Sequence, residues 1–162
     1  MKWRSLSGVL FGSFLIASCQ NPPNQTKLDI VFDTDCPIEM QGVNAKYKWD
    51  TVRQRLQQGL DSIDKSALTQ VQKDCMRNKL TGKIKIYCYC EPEDQKKGYT
   101  RIITGTIFVN VGNQEGPTDM ARTIIHEFAH KCGFHDHDGQ SEAVRRQDPT
   151  DPYWVEEQLL PL

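Results

Sequence analysis

The 162-residue sequence lacks an uninterrupted run of about 20 apolar residues, the length that a membrane-spanning helix needs, so a multi-span membrane protein is excluded. It also lacks a polybasic segment, and its formal net charge is −1, which argues against nucleic acid as a partner. Internal repeats and low-complexity tracts are missing as well. With 25% charged and 38% apolar residues, the composition is typical of one soluble globular domain.

The first nineteen residues have the composition of a secretion signal. Lys2 and Arg4 precede an apolar stretch over residues 6–17, which is too short for a stable membrane anchor. Small residues then lead into Cys19 in the order Ile-Ala-Ser-Cys. This order resembles the lipobox of bacterial lipoproteins, in which the cysteine is lipidated and becomes the mature N-terminus. An ordinary signal peptide with an incidental cysteine is the alternative.

This resemblance divides the chain into three parts. Residues 1–18 are expected to be a lipoprotein signal peptide, residues 19–26 the lipidated cysteine with a polar tether, and residues 27–162 a single domain. The lipid implies attachment to the membrane of the bacterial cell envelope. Gln20 follows the cysteine where Asp would be the retention signal, so the resemblance favours the outer membrane.

Hydrophobic periodicity predicts an α+β fold. Apolar residues recur at three- and four-residue steps over residues 45–79, with a break at 61–66, and at every second residue in the segments proposed as strands. Pro117 suits the first turn of a further helix and Gly133 suits its end. The predicted strands are 28–32, 83–90 and 99–111, the last two forming a hairpin with a bulge at Gly105, and the final predicted helix is 118–132.

Export makes disulfides expected among the five remaining cysteines, Cys36, Cys75, Cys88, Cys90 and Cys132. An odd number leaves at least one thiol unpaired within a monomer. Cys88 and Cys90 share a face of one strand, so each is expected to meet another element or to stay reduced. A C-x-C metal site is the alternative, and the sequence alone does not define the connectivity.

The helix over 118–132 carries the pattern that points to chemistry, His126-Glu127-Phe128-Ala129-His130. Residues four apart on a helix lie on one face, so two imidazoles can approach one Zn²⁺ ion. Glu127 lies beside them and can take a proton from water at the metal. All four histidines of the chain fall between residues 126 and 137, which strengthens the prediction of a metal site.

At this motif the sequence resembles the zincin metallopeptidases. The extended pattern H-E-x-x-H-x-x-G-x-x-D is similar to the metzincin signature, and its last part also looks like that of the deuterolysin-like aspzincins. The resemblance implies His126, His130 and Asp136 as ligands of one Zn²⁺ per chain, and Glu127 as general base and acid. It further implies a zincin-like fold, with a small mixed or antiparallel sheet, a helix carrying the motif and two further helices.

Neighbouring residues compete with Asp136 as the third ligand. His135 or His137 would complete a three-histidine site, and Glu142 would be a carboxylate ligand of the kind that gluzincins use. Asp138 is either part of a polar turn or a residue that orients a ligand. The third ligand therefore stays open at this point, with Asp136 as the first choice.

Two further features bear on catalysis. The strand segment 106–111 is expected either to border the cleft and pair with extended substrate or to lie in the core. Tyr153 is either an oxyanion donor or one of a packed aromatic pair. The function that these observations favour is hydrolysis of peptides or proteins in the cell envelope. The alternative is a zinc-containing binding or assembly lipoprotein without catalysis.

Overall fold

The computed structural model describes residues 25–37, 48–91, 93–101, 106–137 and 139–161. The predicted signal peptide and lipidation site Cys19, the proposed bulge at Gly105, and Asp138 lie outside the described residues. Thr26 is predicted to belong to the tether, but it is the first residue of a strand and is buried.

In the described part of the chain, four strands form one mixed sheet. They are β1 (Thr26–Phe32), β2 (Gly82–Tyr89), β3 (Gly98–Thr100) and β4 (Ile107–Asn110). The order across the sheet is β1-β2-β4-β3. β2 runs parallel to both β1 and β4, whereas β3 runs antiparallel to β4. The sheet therefore has a parallel centre and one antiparallel edge strand.

The predicted hairpin between residues 83–90 and 99–111 is wrong. The second segment contains two strands, and β4 lies between β2 and β3, so the chain forms its antiparallel pair within the segment. The reason is burial: Ile107 and Val109 are fully buried and occupy the sheet interior, while Tyr99 is partly exposed on the edge strand.

The described residues contain five α-helices beside the sheet, so the α+β class is confirmed, but four of these helices rather than two accompany the motif helix. They are α1 (Trp49–Ser62), α2 (Gln70–Leu80), α3 (Pro117–Lys131), α4 (Glu142–Arg145) and α5 (Pro152–Leu159). The predicted break between α1 and α2 is confirmed, and it contains a single 3-10 turn at Ile63–Lys65. Among the described residues, no helix has both the length and the apolar composition of a membrane span.

The helix α3 is the centre of the packing. Pro117 stands at its first turn and Gly133, with φ of +90°, follows its end, as the sequence predicts. Gly59 lets α1 approach α3 closely, since a Cβ added at this position would lie only 3.1 Å from the Ile125 side chain. Nine residues of α3 are buried, so the motif is held on a rigid, well-packed element.

In α2 the apolar periodicity predicted over residues 45–79 is only partly confirmed, because Met76 is buried whereas Val71 is 80% exposed. α2 begins with a reciprocal capping arrangement in which the Thr69 side chain accepts from the Gln72 backbone N–H.

Two disulfides join separate elements, Cys36 to Cys90 and Cys75 to Cys132. The second ties α2 to the residue that follows α3. Cys88 is a free thiol facing the core, and burial raises its pKa to about 12. The prediction that Cys88 and Cys90 do not bond each other is confirmed. The alternative of a C-x-C metal site is wrong, because one sulfur is oxidised and the other is fully buried.

Candidate metal centre

Three side chains converge at the end of α3. His126 and His130 lie one helical turn apart, with their ring centroids separated by 4.9 Å. Gly133 lets the chain reverse after the helix, so Asp136 returns towards the two imidazoles. One oxygen of Asp136 lies 3.4 Å from His126 Nε2, and the other lies 3.4 Å from His130 Nε2. The prospective ligand atoms of all three residues lie within 4.8 Å of one another.

The other nitrogen of each imidazole already has a hydrogen-bond partner. His126 Nδ1 lies 2.7 Å from a carboxylate oxygen of Glu156, and His130 Nδ1 lies 3.1 Å from the carbonyl oxygen of Phe134. Both partners are acceptors, so they favour the tautomer that carries hydrogen on Nδ1. This leaves the lone pair of each Nε2 directed towards Asp136, which is the arrangement that a metal-binding histidine requires. The donor set therefore fits a zinc ion.

Without a metal ion, hydrogen bonds between His126 and two carboxylates hold the cluster together. Burial disfavours the charged imidazole of His126, but hydrogen bonds to Asp136 and Glu156 outweigh it and raise the pKa of His126 to about 9. The same hydrogen bond, together with the charges of His126, His130 and Arg145, holds the pKa of Asp136 well below its usual range. A metal ion would therefore displace a proton from His126 on binding.

Glu127 lies next to the cluster without belonging to it. Its side chain is only 5% exposed, and burial raises its pKa above the ordinary carboxyl value, although the neighbouring histidines oppose this. β3 passes beside it: the Thr100 hydroxyl donates to the Glu127 carbonyl at 3.3 Å, and a Cβ on Gly98 would lie 3.4 Å from Glu127 Oε1. A carboxylate with a raised pKa in this position can accept a proton near neutral pH.

The strand beside Glu127 is β3 and not the predicted segment 106–111. β4 lies inside the sheet with a neighbour on each side, so its backbone groups are already paired. Gly98 permits the close approach of β3, because a Cβ there would lie 2.9 Å from both the Phe108 carbonyl oxygen and the Thr123 methyl group. The core alternative for 106–111 is therefore the correct one.

The other residues considered as third ligand are not brought into the cluster. His137 pairs with Asp148 at 2.6 Å, and Glu142 pairs with Arg146. His135 is exposed and lines a surface hollow that the three prospective ligands also line. Within the described part of the chain, His126, His130 and Asp136 are the only group of three or more such side chains close enough to share a metal.

An arginine on α4 fixes Asp136 from outside. Arg145 contacts the Asp136 carboxylate and also lies 2.8 Å from Asp151, which is fully buried. Asp151 caps α5 by accepting from the Tyr153 N–H at 2.9 Å, and it accepts from the His137 N–H at 3.1 Å. The position of Asp136, the third prospective ligand, therefore depends on Arg145 and Asp151, which follow it in the chain.

Tyr153 packs against the site. Its ring lies 4.8 Å from the His126 ring and 4.4 Å from the guanidinium of Arg145. Burial and the carboxylates of Glu156 and Glu142 raise the pKa of its phenol to about 12. Because of this raised pKa, Tyr153 stays a neutral phenol at neutral pH. Its side chain lines a hollow that Glu127 also lines.

Glu156 and Arg122 are parts of the site that sequence reasoning missed. Glu156 is 4% exposed and uses its second carboxylate oxygen to bind Arg122 Nε at 3.1 Å. Arg122 is equally buried and also donates to the carbonyl oxygen of Leu160 at 2.8 Å. The N-cap Asp151 with Pro152 after it was a signal for α5, and with it for the helix face that carries Glu156.

Comparison with protein families, with curated proteins and with solved structures finds no match to this chain. The functional argument therefore rests on the residues and their geometry.

Proposed function

We propose that this protein is a zinc-dependent metallopeptidase with a zincin-like domain. The convergence of the two Nε2 atoms on Asp136, with Glu127 buried beside them, is the observation that carries the proposal. The motif helix packed under the edge strand of a mixed sheet is compatible with the zincin resemblance. His126, His130 and Asp136 would hold one Zn²⁺ per chain.

Each residue has a separate task in this proposal. Zinc in a site with three protein ligands supplies Lewis-acid polarisation of a carbonyl group and acidifies water. Glu127 accepts the proton of the attacking water and returns it to the nitrogen of the leaving amine. Glu156 and the Phe134 carbonyl keep both imidazoles in the tautomer that presents Nε2. Arg145 keeps the Asp136 carboxylate ionised and in place.

Glu127→Gln tests the catalytic part directly. Zinc-loaded protein would be incubated with a pool of unstructured decapeptides, and the products identified by mass spectrometry. We expect Glu127→Gln to retain zinc and to lose hydrolysis by about 10²–10⁴-fold, the usual contribution of a general base. Glu142→Gln is the matched control, since Glu142 lines the same hollow as Glu127 and Tyr153 but pairs with Arg146. Hydrolysis that survives in Glu127→Gln would refute the assignment, and zinc binding without hydrolysis in the wild type would favour the binding-protein alternative.

The proposed location is the bacterial cell envelope, with attachment through a lipid on Cys19 and the outer membrane as the favoured site. The support is the order of residues that leads into Cys19. Cys19→Ala should move the protein from the detergent phase to the aqueous phase in a partition assay. A wild-type protein that already partitions into the aqueous phase would contradict the lipid anchor.

A further inference from the structure

Two hollows adjoin Glu127, and Lys96, Gly98 and His126 also line both of them. Apart from His126 and Glu127, the charged side chains of the first hollow, of about 260 Å³, are four basic and three acidic ones. Three of the basic side chains pair with the three acidic ones, Lys97 with Asp119, Arg122 with Glu156 and Arg146 with Glu142. The fourth is Lys96, which the first hollow shares with the second.

The second hollow, of about 460 Å³, opens over all three prospective metal ligands. Apart from those ligands and Glu127, the formally charged side chains that line it are Lys96 and Lys131, and both are positive. Tyr99, which is 38% exposed, supplies apolar surface in the same hollow, and the buried ring of Phe134 also borders it. The combination of two ammonium groups with apolar walls is complementary to an anionic group carried on a short aliphatic stem.

Lys131 is placed to act close to the reaction centre. It follows His130 directly on α3, and its ammonium lies 5.5 Å from the centroid of the Phe128 ring. It is partly buried, and its charge interacts with that of Glu127. Contacts made by a partly buried charge are less screened by salt than those of a fully exposed one.

We propose that the second hollow is a substrate subsite for a carboxylate, held by Lys131 and Lys96. The carboxylate would come from an acidic side chain near the scissile bond or from the C-terminus of a short peptide. This inference rests on the proposed peptidase function and defines the substrate class of the same site.

Matched decapeptides test the subsite with the zinc-loaded full chain. Glu, Gln or Lys would be placed at each position within three residues of a bond that the protein cleaves, in peptides with free and with amidated C-termini. At one position kcat/KM should fall in the order Glu, Gln, Lys, with about tenfold between the extremes, as expected for two partly exposed ion pairs. A preference for the free C-terminus instead would identify the terminal carboxylate as the source.

Charge reversal shows which residues set the preference. Lys131→Glu should invert the ratio of kcat/KM for the Glu peptide to kcat/KM for the Lys peptide, and Lys96→Gln should reduce this ratio. A general effect of the new charge on Glu127 changes both rates alike and so cancels in the ratio. Lys79→Glu is the control, because Lys79 interacts with Lys131 electrostatically but does not line the hollow. Two results would overturn the proposal. The first is equal rates for the Glu, Gln and Lys peptides together with no preference for the free C-terminus. The second is an equal effect of Lys131→Glu and Lys79→Glu on the Glu-to-Lys ratio.

Binding measurements separate this inference from the peptidase proposal. If the wild type cleaves none of the peptides, the proposed peptidase function fails. Fluorescence anisotropy with the same labelled peptides then decides the subsite. Tighter binding of the Glu peptide than of the Lys peptide, inverted in Lys131→Glu, supports it, and equal affinities refute it.

Discussion

Replacing Glu156 by Gln should weaken zinc binding without removing a ligand. The two carboxylate oxygens of Glu156 serve two donors, His126 Nδ1 at 2.7 Å and Arg122 Nε at 3.1 Å. An amide of the same shape has only one oxygen, so its NH₂ group must face one of the two donors. We expect a loss of about 1–3 kcal/mol in the free energy of unfolding, because a buried donor is left without an acceptor. Zinc affinity should fall about 10–100-fold, as for other residues that orient a ligand.

The assay is zinc competition with a chromophoric chelator at pH 7 and pH 9, with thermal unfolding in a chelator as the measure of stability. The loss of affinity should be largest at pH 9. At pH 7 it is partly offset, because removal of the carboxylate also lowers the pKa of His126 and so weakens the competing proton. Glu157→Gln is the control, since Glu157 binds Arg122 at 3.2 Å but is not a hydrogen-bond partner of His126. Equal zinc affinity of Glu156→Gln and the wild type at pH 9 would refute the reasoning.

Three further predictions concern the surroundings of the site. Gly98→Ala should lower the unfolding free energy by about 1–3 kcal/mol in chemical denaturation, because the added Cβ overlaps backbone that cannot move freely; unchanged stability would contradict the close approach of β3. The apparent zinc affinity should rise about tenfold per pH unit from pH 6.5 to pH 9, because neutral His126 binds the metal and its pKa lies near 9; a pH-independent calorimetric titration would contradict this. Replacing Cys75 and Cys132 by Ala together should cost about 2–4 kcal/mol in urea unfolding, since their disulfide closes a long loop; an unchanged midpoint would show that the disulfide does not form.

Local signals were sufficient for the motif helix and for the two histidines that it carries. Pro117 and Gly133 mark the ends of α3 because each fits a backbone conformation that the position requires. The four-residue spacing of His126 and His130 then fixes their common face. Asp136 is implied only by the resemblance to zincins, and the structure brings it to the two imidazoles.

Sheet order and the supporting contacts depend on residues far apart in the chain. An alternating pattern is the same for a parallel and an antiparallel neighbour, so it does not reveal that β4 lies between β2 and β3. Glu156 meets His126 across 30 residues, and on the sequence it is one acidic residue beside another. Its role follows only from the packing of α5 on α3, which buries Glu156 with Arg122.

Metal content tests the central claim most directly. Wild type, Asp136→Ala, His137→Ala and Glu127→Gln would be loaded with zinc, dialysed and analysed by inductively coupled plasma mass spectrometry. The account predicts about one zinc per chain in the wild type, His137→Ala and Glu127→Gln, and loss of zinc in Asp136→Ala. Folded wild-type protein that retains no zinc would contradict the metal centre, and loss of zinc in His137→Ala but not in Asp136→Ala would contradict the ligand set.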